Sequence, residues 1–195
     1  WLLTLSGWSV VLTGYLGLFC SVMIYVFTEK DFWSFSQTAT KFLLTSVILG
    51  LATTTVSVLG LASVGNSVMA QQIWHEMGPL MLQGLIAASA LKLFYESSLL
   101  RHLWTRRNTP LKRSARLTVG ALSNNSLARV ATGLLGGILM PLFLLSKSSS
   151  EQSTQLTQLV ALGILFIATL AGELLERYQF FAAVSSRRMP GGPRP

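Results

Sequence analysis

The chain has 195 residues, 51% hydrophobic and 11% charged, with 15 Lys and Arg against 7 Asp and Glu for a formal charge of +8. Soluble domains carry about 25% charged residues, so this composition, with mean hydropathy +0.54, excludes an ordinary soluble globular domain. Cys20 is the only cysteine, which excludes an intrachain disulfide, an iron–sulfur cluster or a Cys-based zinc site within the chain.

The apolar residues come in long uncharged blocks: Trp1–Thr28, Phe42–His75, Val130–Ser146 and Gln152–Gly172. About 20 apolar residues carry a helix across the hydrocarbon of a bilayer. Five spans are predicted, at Gly7–Phe27, Phe42–Ser63, Pro79–Leu103, Leu127–Leu145 and Leu156–Val184, forming an all-α integral membrane helix bundle. The opening "WLLTLSGW" has neither the charged start nor the cleavage site of a signal peptide. The chain is therefore expected to be a segment of a longer protein that begins in or just before a helix. Cys20 reads as a small packing residue of the first span.

The third and fourth spans are joined by "TRRNTPLKRSARLTVGALSNNS", read as a basic loop over 104–126, and the fourth and fifth by the polar turn "SKSSSEQSTQ". Gly133 and Gly137 form a GxxxG pair, expected where helix backbones approach closely. The tail "RRMPGGPRP" cannot continue a helix past Pro190. The whole of 1–195 reads as one transmembrane domain.

Odd-numbered spans all end on one face. That face receives Lys30, Lys41, Arg101, Arg106, Arg107, Lys112, Arg113, Arg116, Arg129, Arg187, Arg188 and Arg194, whereas the other has Lys147 alone. The positive-inside rule then places the loop 104–126 and the tail 185–195 in the cytoplasm. Charges confined to short loops need no nucleic-acid partner.

Charged residues also stand within the spans, where each costs about 2.5–3.5 kcal/mol on insertion scales. Lys92 and Glu96 are four residues apart in the third span, as are Glu173 and Arg177 in the fifth, on one helical face each. At 1.5 Å per residue Glu173 lies about 18 Å from the end of its helix at Ser185. These groups are expected to neutralise one another within or between helices and to face the bundle interior. Two roles stay open: a structural ion-pair network, or a proton-conducting or ligand-binding cavity open to the cytoplasm. His75 and His102 fall about 40 Å apart if helical, too far to ligate one haem iron. There is no nucleotide-binding loop, HExxH or catalytic triad.

Three stretches, in order, resemble a known family. "AGELLERYQFF" resembles the last-helix signature "AGELxxRxxFY" of DMSO-reductase membrane-anchor subunits. "FCSVMIYVFTEKDFWSFSQTATKFLLTSVILG" resembles their middle helix pair, and "PLKRSARL…ARVATGLLGGILMPLFLL" the penultimate helix and its preceding loop. The resemblance implies the last five helices of an eight-helix anchor in a bacterial inner membrane, with no haem, flavin or metal of its own. Such an anchor holds an iron–sulfur subunit and a molybdopterin catalytic subunit and exchanges electrons with quinone. Glu173 and Arg177 match the family's Glu and Arg, while Glu176 and Tyr178 are particular to this sequence. The family's quinone-site His and Glu belong to N-terminal helices outside this segment.

Under this reading Glu173, Arg177, Lys92 and Glu96 are quinone or proton residues. Tyr95, Tyr178 and Trp33 would form an aromatic or hydrogen-bonding wall. Arg101, Arg106, Arg107, Lys112, Arg113 and Arg116 would dock the iron–sulfur subunit. A cytoplasmic docking face resembles the sulfite-oxidising quinone reductases, which makes sulfite the expected substrate of the complex. The competing expectation is a transporter or proton-channel subunit with an intramembrane Lys/Glu/Arg site.

Overall fold

The computed structural model describes residues 1–29, 33–64, 68–104, 110–148 and 155–183. Helices α1 (Leu2–Val26), α2 (Phe35–Val64) and α3 (Val68–Ser98) come first, and a 3₁₀ turn at Leu99–Trp104 follows α3. Then come α4 (Pro110–Val119), α5 (Ser123–Leu134), a π-helical segment Leu135–Leu139, α6 (Met140–Ser148) and α7 (Gln155–Ala182). No strand occurs among the described residues. Five helical stretches are long and apolar enough to cross a membrane: Leu2–Val26, Phe35–Ala62, Val68–Ser98, Ser123–Ser146 and Leu156–Ala182.

The chain forms two compact units, Trp1–Thr45 and Ser46–Pro195. In the first, α1 ends in a turn whose last residue, Glu29, takes a left-handed φ of 53°. The Tyr25 ring meets Trp33 edge-on at 5.4 Å between centroids and Phe42 at 5.6 Å. Such offset aromatic contacts contribute about 0.5–1.5 kcal/mol beyond the area they bury.

The second unit has a continuous apolar core drawn from four helices. Ile48, Ala52 and Leu59 of α2 meet Leu82 and Leu85 of α3, Leu144 of α6 and Ala161, Leu162 and Leu165 of α7. Along α2 and α3 these positions fall three, four or seven residues apart, and on α7 Ala161 and Leu162 are joined by Leu165, so each of these helices turns one stripe inward. The register follows from which residues meet. Lys92 of α3 meets Glu173 of α7, while along α5 and the π-helical segment that continues it Arg129 meets Glu96, Gly133 lies beside Leu93 and Gly137 beside Ser89. Numbers on α3 fall as those on α5 rise, so α5 runs antiparallel to α3.

Several boundaries differ from the sequence expectation: α1 opens at Leu2 rather than Gly7 and α2 at Phe35 rather than Phe42, and two further differences are larger. The third span was expected to open at Pro79, but α3 begins at Val68 and carries Pro79 inside it. Proline removes one N–H and strains the preceding turn. Here the indole of Trp74 lies across Gly78, where a methyl would come within 2.8 Å of the ring. The expected loop 104–126 is also partly helical: it holds α4, opening on Pro110, and the start of α5. The Ser126 hydroxyl bonds the Thr118 and Leu122 carbonyls at 2.9 and 3.0 Å, tying α4 to α5. Arg106, Arg107 and the tail 185–195 lie outside the described residues.

Candidate functional site

The inward stripes of α3 and α7 change from apolar to polar at one level. On α3 Leu82 and Leu85 give way to Ser89 and Lys92; on α7 Leu162 and Leu165 give way to Thr169, Glu173 and Glu176. All of these side chains are buried, Lys92 completely. Between the two stripes comes Arg129 of α5, 3% exposed.

Glu173 is the hub. One of its oxygens accepts a hydrogen bond from Lys92 Nζ and the other from Arg129 Nη2 at 3.4 Å. The same Nη2 donates to Glu96 Oε1 at 3.0 Å. Lys92 Nζ also lies 3.8 Å from Glu176 Oε2, and Arg177 Nε lies 3.9 Å from that oxygen. Among the described residues the cluster therefore joins three cations and three carboxylates. Removing each ion from water costs several kcal/mol, which only well-placed opposite charges offset. Its accessible edge is Glu96 and Arg177, whose side chains are 17% and 26% exposed.

Glycines make room for these long side chains. The guanidinium of Arg129 folds over Gly133, where a methyl would come within 2.6 Å of Nη1. A methyl on Gly172 of α7 would meet the same Nη1 at 3.2 Å. Gly137 lies directly against the Ser89 hydroxyl, and a methyl at Gly136 would stand 2.6 Å from the Thr169 backbone nitrogen. Gly136 and Gly137 belong to the π-helical segment, a wider turn that disturbs the regular backbone bonding and is frequent at functional sites. A crevice with room for about one water molecule opens here, lined by Ser89, Arg129, Gly133, Gly137, Thr169 and Glu173 among others.

Of the residues singled out from the sequence, the structure brings Lys92, Glu96 and Glu173 into one group through pairings between helices, and Arg177 reaches it through Glu176 of its own helix. Tyr95 is half-buried and Tyr178 is 55% exposed. Trp33 stands in the Trp1–Thr45 unit against Tyr25. Arg101, Arg113 and Arg116 are exposed and Lys112 is half-buried. Arg129, counted among the loop cations, is instead a buried member of the cluster. Glu176 joins as well. Among the described residues no three His, Cys, Asp or Glu side chains converge as metal ligands.

No family model, curated protein or solved structure matches the chain.

Proposed function

We propose that the chain is a multi-pass membrane subunit whose buried Lys92–Glu173–Arg129–Glu96 cluster handles protons for quinone chemistry. The observation that carries this reading is a largely buried network of ionisable groups set between helices that are otherwise apolar. Ionisable residues within membrane helices mark proton and ion routes. The order of motifs supports the finer reading, the anchor subunit of a molybdopterin and iron–sulfur oxidoreductase, with sulfite as the favoured substrate.

Quinone reduction or oxidation moves two protons with two electrons, so a quinone site needs a proton route to water. The crevice beside Glu173 fits a water and is too small for a quinone ring, so no quinone is placed in the cluster. The cluster's part is to hold or pass protons, with Glu96 and Arg177 as its accessible edge. The electron partner is an iron–sulfur subunit, docked on the exposed cations Arg101, Arg113 and Arg116.

The test is purification of the native complex with mass spectrometry of what accompanies the chain. Molybdopterin and iron–sulfur subunits are expected. Their absence from an intact complex removes the anchor reading and leaves the transporter or proton-channel subunit, for which the same cluster is the translocation site. In the assembled complex, Glu173→Gln is expected to slow quinone-linked turnover about 10²-fold or more, the scale of a lost acid–base group, and to spare dye-linked activity of the catalytic subunit. Equal loss of both activities rules out the proton role.

A further inference from the structure

The crevice between α3, the α5–π segment and α7 contains three polar atoms that lack a hydrogen-bond partner within the protein: Ser89 Oγ, Thr169 Oγ1 and Arg129 Nε. Ser89, Thr169 and Arg129 are 5%, 4% and 3% exposed, and all three line the same crevice. Helical Ser and Thr ordinarily return their hydroxyl to a carbonyl one turn back, as Thr132 does to Ala128 at 2.8 Å. Ser89 and Thr169 do not. A buried donor without an acceptor is costly, most of all on a charged group, so something absent from the protein itself completes these bonds.

The crevice's own chemistry identifies the occupant. Arg129 Nε is a donor only and requires an acceptor. A metal cation is opposed by the guanidinium of Arg129 and by Lys92, which is bonded to Glu173. An anion is opposed by the buried Glu173 carboxylate, also at the crevice wall. A neutral dipole that both accepts and donates meets every requirement, and the volume is that of about one water.

The geometry points to one structural water bound by Arg129 Nε, Ser89 and Thr169, in contact with Glu173. It accepts from Arg129 Nε–H and from one of the two hydroxyls, and donates to the other hydroxyl and to the carboxylate. The water thereby extends the ion cluster by one hydrogen-bonded step toward the π-helical segment at Gly136 and Gly137. The assignment stands independently of the quinone reading, because it concerns only groups within the Ser46–Pro195 unit.

The sign of a stability change tests it on the full chain in detergent or nanodiscs. Thr169→Val keeps the shape of the side chain and removes its hydroxyl. With the water present, Thr169→Val and Ser89→Ala each lower the unfolding midpoint, by about 2–4 °C. The double variant falls by less than the sum, because both hydroxyls serve one molecule. If the crevice is dry, deleting an orphan hydroxyl leaves the midpoint unchanged or raises it, and that result overturns the proposal. Should a variant fail to fold, the unaltered chain decides by an experimental structure sharp enough to show ordered water. Density bonded to Arg129, Ser89 and Thr169 supports the site; hydroxyls turned back onto their own helices around an empty crevice refute it.

Discussion

At the scale of single residues, Glu173 matters because both its oxygens are taken by cations from two other helices. Removing one partner of a buried ion pair leaves the other charge uncompensated and costs about 3–5 kcal/mol. Lys92→Met is therefore expected to destabilise by that amount, since Glu173 and Glu176 both lose their nearest α3 cation. Adding Glu173→Gln in the same background is expected to recover part of the loss, because the second change removes the stranded charge. Denaturation of the single and double variants in detergent gives the coupling; strictly additive losses would mean that the two charges do not depend on each other. Lys92, Glu96 and Glu173 were legible in the sequence because a charge within an apolar block needs a reason. Arg129 was not, because it borders the polar stretch "SNNS" and reads as a loop cation. Only the three-dimensional path of its guanidinium over Gly133 shows that it is interior.

At the scale of helices, close backbone approach places the cluster. A methyl on Gly136 meets the Thr169 backbone nitrogen at 2.6 Å, whereas one on Gly163 of the facing helix α7 meets nothing within 4 Å. Gly136→Ala is expected to push α7 off the π-helical segment and to destabilise by about 1–3 kcal/mol, the range for overpacking. Gly163→Ala is expected to be neutral or stabilising by up to about 1 kcal/mol, the helix-propensity difference between the two residues. Thermal unfolding of the two variants side by side checks both; equal effects would remove the close-approach argument. Four of the five long helices were legible from uncharged length, the third span being apolar but carrying Lys92 and Glu96, and the Gly133/Gly137 spacing located the tight region. Its closest backbone contact, at Gly136, lies between those two and follows from the π-helical segment, which no residue spacing reveals. Helix α4 was missed because its basic residues and Pro110 read as a loop. Proline opens a helix as readily as it breaks one, and the buried Ser114 and Ala115 pack one face of it.

At the scale of the whole molecule, the proposed membrane subunit must turn its basic ends to one side of the bilayer. The structure moves Arg129 from the loop count into the bundle interior, which reduces the basic face from twelve Lys and Arg to eleven, against Lys147 alone on the other. Cations resist translocation, so the proposed orientation keeps that face and the C-terminus in the cytoplasm. The asymmetry is large enough to survive losing Arg129, and it uses only loops and ends, where the rule applies. Alkaline phosphatase fused after Pro195 is then expected to be inactive and green fluorescent protein bright, measured in cells that express the full-length protein. In DMSO reductases the catalytic subunits dock on the face where the anchor's last helix ends, outside the cytoplasm. Under the proposed anchor reading, retaining that docking face would put the catalytic subunits in the cytoplasm, and this is the reason for proposing a cytoplasmic donor such as sulfite. Active phosphatase with a dark fluorescent fusion would reverse the orientation and restore an exported, reductase-type complex. It would also remove the argument for sulfite while leaving the Lys92–Glu173–Arg129 network, which is independent of sidedness, untouched.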